Sequence, residues 1–416
     1  MRRGLIFLAG TALAVTAQAG LELTPGDPYR NWSVDVLTTA GYDNNVETTP
    51  NTGPTKTNRL ESTMVSVMPE ATLKLPGDQT SGQLRYLYNR TYYLDRRDPA
   101  PDESHSVDAS LTHAFTPRLS TGLSDSFRRG IEPELVEQQL SGVPLVTRRR
   151  GDYTYNNLSG AAAFQATTRW NVSLNQSWDR WAFDDHFEAD ANDRDGYTTV
   201  FSTSYGVDPR TFVGGSYRFS LADYSLASTT NAERNSQSHA LYATVIHRFT
   251  PLITGQFNAG AQLAKFSGVT DWSPYLNVSG TYNFAPNSTL TAGLAYNIQL
   301  TEVAVYRSAE QASSFLTLQH RFNSKLRATI QFAYTLSTYN NLNPFYRNPN
   351  DITQRATADE NSWRLDTSVT YDLTRWASLF VNYTYDEMDS SLDNPITGLA
   401  RSFDRHRGTA GLRLAY

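Results

Sequence analysis

The sequence predicts an all-β chain closed into a transmembrane antiparallel barrel of the outer-membrane type, with about 18 strands. Three observations carry this prediction. The C-terminal stretch Ser402–Tyr416 alternates from Thr409 onward. Ala410, Leu412, Leu414 and Tyr416 fall on one face, and Thr409, Gly411, Arg413 and Ala415 on the other. A two-residue period marks a strand whose faces meet different media. An aromatic residue finishing the apolar face suits a lipid–water boundary. The second observation is composition: mean hydropathy is −0.48, yet aromatics reach 12%, with 24 Tyr, 19 Phe and 7 Trp. After the N-terminal leader no segment approaches the roughly 20 apolar residues of a spanning helix, and none sustains a 3.6-residue period. The third is a recurrence of short turns with longer loops between them.

The N-terminus reads as a secretory signal peptide over residues 1–19. Arg2 and Arg3 precede an apolar run, and Ala17-Gln18-Ala19 forms a small-residue cleavage site. Removing those two arginines takes the formal charge from −5 to −7. Residues 20–30 are expected to be a short periplasmic segment, and 31–416 the barrel. The implied location is the outer membrane of a Gram-negative bacterium, among lipid and lipopolysaccharide. There is no Cys, which excludes lipoprotein processing, a disulfide framework and a thiolate site.

The short turns fall at Pro76-Gly77-Asp78, Thr116-Pro117-Arg118, Thr167-Thr168-Arg169, Asp208-Pro209-Arg210, Thr250-Pro251, Pro286-Asn287-Ser288, Asn323-Ser324 and Thr374-Arg375. Pro presets φ, and Asn, Asp and Thr cap their own backbone. Their repeat is that of a long hairpin plus one loop. Between turns and loops the strands are expected at 31–43, 60–74, 80–95, 104–115, 118–129, 151–167, 169–183, 196–207 and 211–225. The remainder are expected at 237–249, 252–267, 271–284, 288–302, 311–322, 325–339, 360–373, 376–388 and 402–416. Both termini and the short turns then lie on the periplasmic side. Leu326 to Leu336 and Leu290 to Ile298 alternate most cleanly.

A barrel of this size is too wide for side chains to fill, so its inner face meets water. Alternation assigns Arg85, Arg218, Arg248, Arg321, Arg327, Arg364, Arg405, Arg407 and Arg413 to that face, with Asp366 among the acids beside them. These residues read either as a cationic track for an anionic or hydroxylated solute, or as ion pairs that stiffen the wall. The long loop after Gly130 carries Glu132, Glu134 and Glu137 early and Arg148, Arg149 and Arg150 late. It is a candidate constriction folded into the lumen, or else an external loop. The acidic loop 184–195 misses the spacing of a calcium loop and reads as solvated. Three strands end His-x-Phe, at His113, His247 and His320. Outward placement at the periplasmic rim makes them an interfacial girdle rather than metal ligands.

No nucleophile elbow, zincin, P-loop or dinucleotide signature is present, so no enzyme, cofactor or metal is expected. Nothing points to nucleic acid. The first strand ends Gly41-Tyr42-Asp43-Asn44-Asn45-Val46. This ending, followed by long barrel hairpins over essentially the whole mature chain, resembles the β-barrel porin 2 family. The resemblance implies an outer-membrane passage for exopolysaccharide, working with a periplasmic polysaccharide-export protein that lacks its own membrane segment. The same six residues also suit an ordinary strand exit. A passive-diffusion porin for small solutes, and a barrel that only anchors its loops, stay open as alternatives.

Overall fold

A computed structural model describes residues 30–51, 59–97, 100–131, 152–184, 193–225, 235–266, 269–300, 306–342, 357–391 and 401–416. Within these the chain forms strands only. They are β1 (Trp32–Asp43), β2 (Ser62–Leu75), β3 (Thr80–Tyr93), β4 (Asp102–Thr116), β5 (Leu119–Gly130), β6 (Tyr153–Gln165), β7 (Trp170–Phe183), β8 (Arg194–Gly206) and β9 (Thr211–Tyr224). The second half supplies β10 (Ser236–Arg248), β11 (Ile253–Phe266), β12 (Val269–Ala285), β13 (Ser288–Leu300), β14 (Tyr306–Arg321), β15 (Leu326–Leu342), β16 (Ala358–Asp372), β17 (Ala377–Ser390) and β18 (Phe403–Ala415). Each strand pairs antiparallel with the next, and β1 pairs with both β2 and β18. The 18-stranded sheet is therefore closed, which leaves no edge to recruit other chains.

All eight expected short turns join consecutive strands. Thr116, Thr167, Asp208, Thr250, Asn323 and Thr374 cap them by accepting backbone N–H groups two or three residues on, as their residue types require. Asn287 turns its corner with φ of 56°. Two strands run three or more residues further at one end than alternation indicated: β14 begins at Tyr306 rather than 311, and β15 reaches Leu342 rather than 339. These ends pair with each other beyond the apolar band, where alternation fades but backbone groups still need partners.

Two ladders are interrupted at a proline, and the first is β2–β3, which skips Met68 and Pro69. The β12–β13 pairing stops at Leu276 opposite Tyr296, because Pro274 has no N–H to offer the next step. The Gln262 side chain fills the gap from β11. Its Nε2 donates to the Ile298 carbonyl at 3.0 Å, and its Oε1 accepts from the Ile298 N–H at 3.1 Å.

Candidate functional site: the inner wall

Register sorts the side chains into two faces. Every strand residue among the large apolar side chains left exposed, from Trp32 through Leu84, Phe201 and Leu294 to Leu414, has the same parity on its strand. Most buried polar residues on the strands, such as Asp35, Asp43, Asn258, Asn277, Thr335, Asp386 and Arg405, have the opposite one. The apolar face is convex, toward lipid, and the polar face lines the interior.

Two regions of the inner wall contrast. From β16 through the closing strands to β5 it is charged. Arg405 grips Asp43 at 2.6 Å across the β18–β1 closure, and Arg413 meets Asp35 at 3.2 Å. Arg85 lies 2.8 Å from Glu70 and 3.4 Å from Asp108, which also takes Arg128 at 2.7 Å. Arg364 approaches Asp386 at 3.7 Å, and Arg327 approaches Asp372 at 3.9 Å. Asp366 accepts from Thr384 at 2.9 Å. From β10 to β15 the wall is neutral. Between the rim residues Arg248, Asp271, Arg307, Arg321 and Arg327, no inward position there carries a charge among the described residues. Asn258 faces Asn277, Gln262 bonds Ser238 at 2.9 Å, and Gln311 bonds Ser337 at 3.2 Å. Tyr242 and Tyr275 pack ring to ring at 4.7 Å.

All nine candidate arginines and Asp366 thus lie on the inward face. Five of the arginines are neutralised by carboxylates, as just described. Arg321 instead donates to the carbonyls of Asn323 and Ser324 in the periplasmic turn. Arg407 stands opposite Asp43 and Thr384 in the ladders. Arg218 and Arg248 have no carboxylate within ion-pair reach among the described residues. Arg218 donates to Ser220 at 3.1 Å and borders a recess of about 110 Å³ lined also by Ser238, Gln262, Phe266 and Gln299. The constriction candidates Glu132, Glu134, Glu137, Arg148, Arg149 and Arg150 lie outside the described residues. So do the signal peptide and most of the acidic loop.

The Gly41–Val46 stretch forms the extracellular end of the closing seam. A Cβ on Gly41 would sit 2.1 Å from the Gly408 carbonyl oxygen, so only glycine allows β18 this close. Tyr42 donates to Glu61. Asp43 is fully buried, takes Arg405, and accepts the Asn45 N–H at 3.0 Å. The Asn44 side chain accepts the His406 N–H at 2.7 Å. The Asn45 amide donates to the Thr49 and Asp404 carbonyls, and its oxygen accepts the Thr49 N–H. Val46 is buried with Met64 and Tyr93. Beside it, Arg59 pairs with Asp404 at 2.8 Å, a hydrogen bond that raises the Arg59 pKa further above its ordinary value.

Six histidines are described, and all face outward in two rows. His113, His247 and His320 each set Nδ1 within 3.0 Å of a cross-strand Thr80, Thr211 or Ser288 hydroxyl and meet Phe115, Phe249 or Phe322 edge-on. That is the expected girdle geometry. The upper row escaped sequence reading. Tyr86, Tyr217 and Tyr383 approach Nδ1 of His105, His239 and His406 at 2.7 to 2.9 Å. The partners are 19 to 23 residues apart, so only strand register brings them together. No group of three or more metal-ligating side chains occurs among the described residues.

The closed sheet with an apolar exterior, aromatic rows and a polar interior defines the class: a transmembrane β-barrel of the outer-membrane type. No family model matches the chain, and no curated protein does. Among solved structures it is similar to the siderophore receptor PirA of Pseudomonas aeruginosa, at 10% identity and TM-score 0.46, covering 94% of this chain and 81% of that one. It is also similar to OccK2 (OpdF) of the same organism, a structure in complex with glucuronate. There identity is 11% and TM-score 0.45, over 92% of this chain and 98% of that one. For the P. aeruginosa outer membrane protein OpdK the figures are 12%, 0.43, 92% and 99%. At such low identity and overlap, the solutes of those proteins do not transfer to this chain.

Proposed function

We propose that this chain is an outer-membrane channel through which exopolysaccharide leaves the cell, after export across the periplasm by a partner protein. The observation that carries the reading is the neutral wall of β10–β15. Amides and hydroxyls exchange hydrogen bonds with sugar hydroxyls at little net cost, and the inward Gln256, Thr281, Thr317 and Gln331 are only half-buried. A long polymer also needs many weak contacts rather than one tight site, because strong binding anywhere stalls passage. The ion-paired arginines do not act as a cationic track, since their charge is already compensated. Arg218 and Arg248 are the positions that favour acidic groups on a passing chain. The resemblance at Gly41–Val46 agrees with this reading. The N-terminal leader, removed after Ala19, delivers the barrel to the outer membrane.

Those two arginines also suit a passive-diffusion porin for small anionic solutes. Deleting the gene and measuring polysaccharide at the cell surface and in the periplasm separates the two readings. The conduit requires loss outside with retention inside, restored by the intact gene. Unchanged polysaccharide with slower uptake of small anions leaves the porin.

A further inference from the structure

The outer surface is not uniform. On most strands the outward residues between the aromatic rows are apolar; β15 shows Leu326, Ala328, Ile330, Phe332, Tyr334 and Leu336. The sector β5–β8 departs from this. Asp125 on β5 points outward, in register with Ala109 and Leu158, and its Oδ1 accepts from Asn156 Nδ2 at 2.9 Å. Gln176 on β7 points outward opposite Gly160 and Thr199, and its Oε1 accepts from Thr199 Oγ1 at 3.0 Å. Each lies at the sixth residue past the start of its strand. Tyr86, Tyr217 and Tyr383 hold that same level on theirs. At about 3.3 Å per residue and a tilt of about 40°, that is roughly 15 Å up an apolar band about 25 Å tall. A carboxylate and a carboxamide there face hydrocarbon, where polar groups are costly to leave unsatisfied.

The two groups complement each other. Asp125 keeps one oxygen free to accept, and Gln176 keeps its N–H donors free because Thr199 uses its oxygen. They stand at one height on either side of β6, where Gly160 presents no side chain and an added Cβ meets no heavy atom within 4 Å. Two barrels in one membrane share an orientation, so a two-fold axis relating them runs along the bilayer normal. An axis passing along β6 sets Asp125 of one copy against Gln176 of the other, twice, with Gly160 facing Gly160. We infer that the β5–β8 outer face binds a second copy of this chain as a symmetric dimer. The inference rests on the barrel's lying in a bilayer and is independent of what passes through it.

The chain has no Cys, so a single introduced thiol reports its own neighbours. Gly160→Cys in native outer membranes, treated with a short bis-methanethiosulfonate linker, is expected to give a species of twice the mass. Leu294→Cys, on the outer face of β13, is expected to give none. Adding Asp125→Leu to Gly160→Cys is expected to lower the cross-linked fraction about tenfold, the loss of one acceptor on each side of the axis. Folding is read separately, from the heat-dependent gel mobility of the barrel. Ala162→Cys, the next outward residue on β6, replaces Gly160→Cys if that variant misfolds. A folded variant cross-linking no better than Leu294→Cys overturns the inference. So does an adduct of any other mass, which would place a different protein on this face.

Discussion

Between β16 and β5 the inner wall is built from ion pairs, whereas between β10 and β15 it is built from amides, hydroxyls and rings. The charged region contains the closing seam, where the first and last strands must find each other. Directional, charge-assisted bonds such as Arg405–Asp43 penalise any slipped register, because a one-residue slip would strand a buried charge. The neutral region joins strands that are consecutive in sequence and need no such latch. It is free to present groups that bind weakly and uniformly. Charge in this barrel therefore fixes closure, and neutral polarity is the part we propose for passage.

The largest expected effect comes from breaking the seam. Asp43→Ala removes the buried carboxylate that Arg405 grips and is expected to cost about 3–5 kcal/mol, read as a lowered urea midpoint of the folded barrel. The Asp43→Ala, Arg405→Ala double variant is expected to recover part of that loss; no recovery would mean the pair does not act as a unit. Next comes Gly41→Ala, whose methyl group would press on the Gly408 carbonyl. Overpacking of this kind costs about 1–3 kcal/mol, and the same unfolding measurement tests it. A change in the neutral wall should do the reverse. Thr317→Arg, at a half-buried inward position of β14, is expected to leave the urea midpoint almost unchanged but to cut surface polysaccharide several-fold, and a result the other way round would dissolve the contrast between the regions.

The smallest effect lies outside both regions, in the β8–β9 turn. Asp208 accepts the backbone N–H groups of Arg210 and Thr211 at 2.6 and 2.8 Å, and the Arg210 bond foremost lowers its pKa below the usual carboxylate range. A carboxylate lowered on folding contributes stability above its unfolded pKa of about 3.9 and loses it as pH falls through the folded value. Asp208→Asn, which keeps an acceptor but not the charge, is expected to blunt acid sensitivity below about pH 4 and to lower stability slightly at neutral pH, where the carboxylate's contribution is fully present. Acid titration of the folded fraction measures this. An unchanged acid limb would show that the turn does not couple to the barrel.

Much of this architecture was legible in sequence. The turns announce themselves through Pro, Asn, Asp and Thr, whose preferences are local. The faces follow from a two-residue period that any strand obeys, so the arginine set could be placed inward without knowing its neighbours. The residues Gly41–Val46 that carry the resemblance form a packed strand end, whose physical work their sequence did not disclose. Asp43 and Arg405 are 362 residues apart, and no local pattern pairs them. The upper Tyr–His row was missed for the same reason.

The sequence by itself determined the number of strands, where they turn, and which side of each meets lipid. Propensity, turn chemistry and periodicity act within a few residues, and that range is enough. Only the tertiary structure decided which carboxylate neutralises which arginine, why Gly41 must be glycine, and that Asp125 and Gln176 flank Gly160 at one height. Those facts depend on strand register and on closure of the ring. Both are set by the sum of many cross-strand contacts, and no single stretch of chain encodes them.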